Sequence, residues 1–265
     1  MNKFLSIILV VLVFSSCSDL QKALKSEDVA LKYATAEKLY ESGKYTKAIR
    51  LFEQIAPSYR GKPQAEKMFY MFAQSYYKTK NQYYLSGYQF ESFASAYPKS
   101  EKAEEAAYLG AKSYAYLSPR YTLDQTDTYK AIEKLQAFIN NYPNSTYIGE
   151  ANELATSLRV KLEMKAYEIA KQYNTISDYK SAIKALDNFV ADYPGTPFKE
   201  KALYYKLDSA YNLAINSIPS KMEERLATAK LAYTNLLKFK EDTEYKKEAD
   251  KMYASIEKEL QQFSK

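Results

Sequence analysis

Histidine and tryptophan are absent from the 265-residue chain, and cysteine occurs once. Without histidine there is no Ser-His-Asp or Cys-His catalytic arrangement, and no zinc site of the usual His/Cys kind. A single cysteine, Cys17, leaves no disulfide framework. Glycine is scarce, with six residues, and none falls in a G-x-G-x-x-G or G-x-x-x-x-G-K-[ST] run that would cradle a phosphate. Charge of one sign is also scarce. Lys and Arg number 38 against 32 Asp and Glu, too small an excess over a surface of this size to imply nucleic acid. What is plentiful is tyrosine, 28 residues, in a chain whose 46% hydrophobic content marks it as folded. Length alone suggests about two domains. Abundant Tyr with little Gly points to helices and contact surfaces rather than to an enzyme.

The first residues read as an address. Lys3 gives a positive start, and Phe4 to Phe14 is apolar apart from Ser6. Crossing a bilayer takes about 20 apolar residues, so this run is too short and fits the apolar region of a signal peptide over 1–16. Phe14-Ser15-Ser16-Cys17 resembles a bacterial lipobox, with Phe14 where an aliphatic residue is usual. That resemblance implies a diacylglycerol on the Cys17 thiol, cleavage before it, and acyl chains as the only group the protein carries. Residues 17–25 then form a lipidated tether, and the membrane is reached through the anchor alone.

A repeat fills the remainder. Phe93, Phe138 and Phe189 each stand four residues before a Tyr-Pro pair, and Ser100, Ser145 and Thr196 follow two residues beyond the Pro. Ala106, Ala151 and Ala202 come eight beyond it, and Ser86, Ala131 and Ala182 seven before the Phe. A related half-unit surrounds Ile55, and a fifth copy is expected at Phe239 with Ala232 before it. Pro ends one helix, and the hydroxyl two residues on can cap the next. Stripes such as Ala48, Ile49, Phe52, Ile55 and Ala56 recur at helical spacing, and no segment alternates as a strand does. Helix pairs of this kind bury their faces only by stacking.

Gly43-Lys44-Tyr45 with Ala48 and Phe52 resembles a tetratricopeptide repeat (TPR), and Ser177-Asp178-Tyr179 with Ala182 repeats it. The expected fold is therefore all-α: one TPR-like solenoid over 26–240, of about five antiparallel helix pairs (28–57, 62–98, 100–143, 145–194, 196–240) plus a capping helix over 242–265. The run Leu154 to Tyr173 has no Gly or Pro and reads as one long helix. Glu104-Glu105 and Glu223-Glu224 read as solvated face, since neighbouring helical positions diverge by about 100°. Asp124 and Asp127 read as turn formers, and Asn144-Ser145-Thr146 as a capped turn.

A lipidated N-terminus, long-period helical pairs and Tyr-Pro-x-[ST] punctuation together resemble the BamD family of outer-membrane assembly lipoproteins. The most telling stretch is Tyr142-Pro143-Asn144-Ser145-Thr146-Tyr147 with Ala151, Leu158-Arg159 and Leu162, followed by Tyr173 and Asp178 to Ala182. Ser86-Gly87 departs from the small-aliphatic pair of the other units. The resemblance implies a non-enzymatic scaffold on the periplasmic face of a Gram-negative outer membrane. It binds a BamA-like barrel insertase, unfolded outer-membrane β-barrel proteins and possible companion lipoproteins, N-terminal repeats toward substrate and C-terminal repeats toward the insertase. By TPR register, Ala30, Tyr33, Glu37 and Tyr40 of the first helix and Met71, Ser75 and Lys78 of the third would line a substrate groove. The plainer reading packs the tyrosines between helices with their hydroxyls at the rim. Two other classes share these features: a TPR adaptor lipoprotein for cell-wall enzymes or proteases, and a SusD-like glycan-binding lipoprotein. The latter ranks last for want of Trp and of large loops.

Overall fold

A computed structural model describes residues 19–263; the signal segment and Cys17 lie outside the described residues. The described residues are all-helical. A short helical segment over 19–25 precedes α1 (Val29–Glu41), α2 (Tyr45–Tyr59), α3 (Ala65–Lys78), α4 (Tyr83–Ala96), α5 (Ala103–Leu117) and α6 (Thr126–Asn141). Then come α7 (Ile148–Thr175), α8 (Tyr179–Asp192), α9 (Lys199–Ile215), α10 (Pro219–Phe239) and α11 (Lys246–Leu260). Helices consecutive in sequence pack together from α1 to α6 and from α8 to α11, and α1 also touches α3, α3 touches α5, and α9 touches α11. First helices of successive pairs thus stack, as in a TPR-like helical repeat.

The residues fall into two compact units, where the repeat pattern leads one to expect a single array. One unit holds the chain to Pro119 with Asp124–Leu158; the other holds Arg120–Leu123 and the chain from Arg159. The division falls inside α7, whose 28 residues run on because nothing from Glu150 to Thr175 is Gly or Pro.

The punctuation has a mechanical basis. Phe93, Phe138 and Phe189 are buried, and each ring lies against the Tyr four residues on, at 5.2, 5.4 and 5.4 Å between centroids. That Tyr closes the helix by donating its N–H to the Phe carbonyl, and Pro follows. The hydroxyls cap the lead-in turn rather than the first α-helical residue. Ser100, Ser145 and Thr196 accept from the N–H of Lys102, Tyr147 and Phe198, just ahead of α5, α7 and α9. Ser100 and Ser145 also donate to carboxylates of the preceding first helix, Glu66 at 2.6 Å and Glu104 at 2.5 Å. Thr243 does the same to Glu200 at 2.6 Å. Glu104 is therefore a rung between repeats, not a merely solvated residue, and Thr243 marks the fifth copy. That copy sits at Leu236, fully buried with Ala229 seven residues before it, rather than at Phe239, which is 46% exposed. Lys240 closes α10 onto the Leu236 carbonyl as Tyr193 closes α8 onto Phe189.

The α1–α2, α3–α4 and α7–α8 turns each use a left-handed residue. Gly43 (φ 71°) adopts that conformation freely, and Asn81 (φ 66°) and Ser177 (φ 63°) repeat it. The departure at Ser86-Gly87 is a close contact of α4 with α5. Ser86 and Ser113 share a buried hydroxyl–hydroxyl hydrogen bond of 2.9 Å, and the Tyr114 ring occupies the room a side chain at Gly87 would need. Asp124 accepts from the Thr126 N–H at 2.9 Å, the turn-forming role expected of it. The second unit closes with α11, which buries Ala249, Met252 and Ile256, while Tyr245 stacks on Tyr204 at 4.1 Å.

Candidate functional site

α1 starts at Asp28, whose carboxylate accepts from the N–H of Ala30 (2.8 Å) and Leu31 (3.1 Å). Ala36 and Leu39 turn into the core, and Tyr33, Glu37 and Tyr40 stand half-buried beside them, the two tyrosines packed against that core. Tyr33 stacks on Tyr59 at 5.1 Å and 15°. Glu37 pairs with Lys67 of α3 at 2.5 Å, and Tyr40 meets Tyr45 edge-on at 5.7 Å. Burial, and then Glu37, push the Tyr33 hydroxyl above its usual range; burial, then Tyr45, do so for Tyr40.

In α3 the structure departs from the expected register. Met71 (4% exposed) and Ser75 (0%) lie in the interior, where Ser75 donates to the Met71 carbonyl at 2.7 Å. They cannot line an open groove. Lys78 is exposed, but at the end of the helix. The residues that continue the α1 face are Lys67 and the half-buried Tyr70, while Gln74 is buried beneath them. Tyr70 sits one position before the expected Met71, and one position is a rotation of about 100°. Gln74 donates to the Tyr70 hydroxyl at 2.9 Å, and Lys102, just ahead of α5, stands over the Tyr70 ring at 5.5 Å.

The face continues along α5. Lys102 pairs with Glu105 at 2.9 Å, and Lys112 pairs with Glu150 at the start of α7. Tyr108 stacks on Tyr147 at 4.5 Å and 9°, with Lys112 at 5.4 Å from its ring centroid. Hydrogen bonds from Lys112 and then Tyr108 hold the Glu150 carboxyl below its usual range. Burial alone would lower the Lys112 ammonium, but Glu150 and Tyr108 hold it high. So the first helices of the first unit present the half-buried rings of Tyr33, Tyr40 and Tyr70 with the ion pairs Glu37–Lys67 and Lys102–Glu105, over an interior that takes in Gln74 and Tyr108. Exposed pairs of this kind contribute about 0–1 kcal/mol each, so they yield readily to a partner. The signal in the sequence is the 3- and 4-residue spacing of 33/37/40, 67/70 and 102/105.

The second unit offers a different surface. α7 exposes Ile169 (52%) and Tyr173 (39%), and Ile176 (64%) follows in the turn just past its end, at spacings of four and three. That is one apolar stripe on one helix face. It was unrecognised in the sequence because the same run also supplies core residues Tyr167 and Ala170. Among the described residues no group of three or more His, Cys, Asp or Glu side chains could hold a metal, and no helix is long and apolar enough to cross a membrane.

Residues 25–226 match the family model described as YfiO, outer membrane lipoprotein. No curated protein matches the chain. Among solved structures, one titled "Computational Design of Self-Assembling Cyclic Protein Homooligomers" is 15% identical over 99% of this chain and 96% of that one. Its TM-score of 0.20 is too low to support an argument from shape.

Proposed function

Since the chain belongs to the YfiO family of outer membrane lipoproteins, which is the BamD family, we propose that it is a lipid-anchored scaffold of β-barrel assembly. Cys17 is the attachment point, and acyl chains are the only group it carries. Its family is one of non-enzymatic scaffolds. The partners are a BamA-like insertase and unfolded barrel proteins, with possible companion lipoproteins; nucleic acid has no part.

The observation that supports this reading best is the tyrosine and ion-pair face of α1, α3 and α5. An unfolded barrel segment brings alternating aromatics and unpaired backbone groups. Tyr meets both, with a flat ring and a hydroxyl that burial keeps protonated. Tyr33, Glu37 and Tyr40 keep the substrate role proposed for them, and Lys67 and Tyr70 replace the interior Met71 and Ser75. The α7 stripe suits the insertase, because a helix stripe docks against a complementary apolar strip.

Photocrosslinking tests the assignment. Photoreactive residues at Tyr40 and Lys67 are expected to capture unfolded barrel substrate, and those at Ile169 and Ile176 the insertase. Empty or exchanged captures would remove it.

A further inference from the structure

Asp19 stands two residues beyond Cys17. A chain spans at most about 3.6 Å per residue, so acyl chains on Cys17 begin within roughly 7 Å of Asp19 along the backbone. Residues 19–25 of the tether expected from sequence are helical. Leu20 and Ala23 are buried in the core of the first pair. Asp19, Leu20 and Lys22 border a hollow of about 490 Å³ whose other wall includes Lys38, Ser42 and Lys44, at the end of α1 and the turn into α2. The anchor therefore leaves the first unit at the edge that carries the turns within pairs.

That edge has a distinct chemistry. Its next hollow, about 390 Å³, lies between the α1–α2 and α3–α4 turns and is bordered by Lys44, Lys47, Lys78 and Lys80, with no Asp or Glu. Asp19 is the only carboxylate bordering the first hollow. Further along, Tyr84, Tyr116 and Tyr129 are exposed at the start of α4, the end of α5 and the start of α6. Lys130 stands over the Tyr84 ring at 5.2 Å, and the Tyr83 and Tyr116 rings lie 4.7 Å apart. Tyr and Lys together are the side chains that settle at a membrane–water boundary, ring in the headgroups and ammonium toward phosphate. Clustered lysines close to a bilayer are attracted by its anionic lipids.

We propose that this turn edge of the first unit lies on the anionic lipid surface into which the anchor inserts, as a second membrane contact that fixes how the unit is held. The inference rests on acylation of Cys17. Tethering raises the local concentration of headgroups at the edge, so individually weak contacts suffice. Lys78, expected from sequence in the substrate groove, belongs to this edge instead.

The chain has no Trp, so one introduced Trp is a sole fluorescent reporter. The processed lipoprotein is reconstituted in vesicles of phosphatidylethanolamine and phosphatidylglycerol with brominated acyl chains. Tyr84→Trp is expected to be quenched several-fold more than Asn144→Trp, which sits in the turn between α6 and α7 at the opposite edge. The difference should shrink at high salt, and with Lys44→Gln, Lys47→Gln, Lys78→Gln and Lys80→Gln combined. Equal quenching of the two reporters in protein that floats with the vesicles would overturn the orientation alone. Failure to float would overturn acylation at Cys17 and the orientation with it.

Discussion

Gly87→Val is expected to destabilise the first unit by about 3 kcal/mol, the upper end of what overpacking a closed interior costs. A Cβ at this position would lie 2.9 Å from two ring atoms of Tyr114. The ring cannot easily retreat. Tyr114 donates to Glu91 at 3.0 Å, Glu91 pairs with Lys134 at 2.7 Å, and Lys130 stands over the ring at 4.6 Å. The higher helix propensity of Val offsets only about 0.5 kcal/mol. For a unit of this size the melting temperature should fall by roughly 6–12 °C, read by circular dichroism. Gly149→Ala is the control: it meets nothing within 4 Å and should be neutral or stabilising by up to about 1 kcal/mol. An unchanged melting temperature for Gly87→Val would mean that α4 and α5 do not approach this closely.

Cys17→Ser is expected to move the protein from the membrane fraction to the soluble fraction. Each buried acyl CH₂ contributes about 0.8 kcal/mol, so two or three chains hold a protein almost irreversibly, and a hydroxyl accepts none of them through a thioether. The lysine edge alone would leave only weak association that falls as salt screens it, since the Debye length is about 8 Å at physiological ionic strength. Fractionation of cells after a high-salt wash reads this directly. Serine-bearing protein that still pellets would show that something other than the cysteine lipid holds it.

The helix pairs were legible because their ends are written locally. A Phe four residues before Tyr-Pro stacks on that Tyr, and both signals sit in one short window. The rungs from Ser100, Ser145 and Thr243 to Glu66, Glu104 and Glu200 were not legible, because each joins residues 34 to 43 apart. The fifth copy was misplaced for a related reason. Phe239 carries the aromatic, but Leu236 carries the burial. In α3 the register expected from sequence selects Met71 and Ser75, which are interior, and passes over Lys67 and Tyr70. The division within α7 leaves no mark in sequence, since an unbroken helix serves both units. The packing of the tether's residues 19–25 was not legible, because Leu20 and Ala23 look unremarkable until the core of the first helices covers them.

Affinity purification from a detergent extract of membranes, followed by mass spectrometry, tests the central claim most directly. The tagged lipoprotein is expected to bring down an outer-membrane barrel that carries periplasmic domains, together with incompletely folded barrel proteins. Recovery of cell-wall enzymes or proteases without any such barrel would contradict the account and favour a different TPR adaptor.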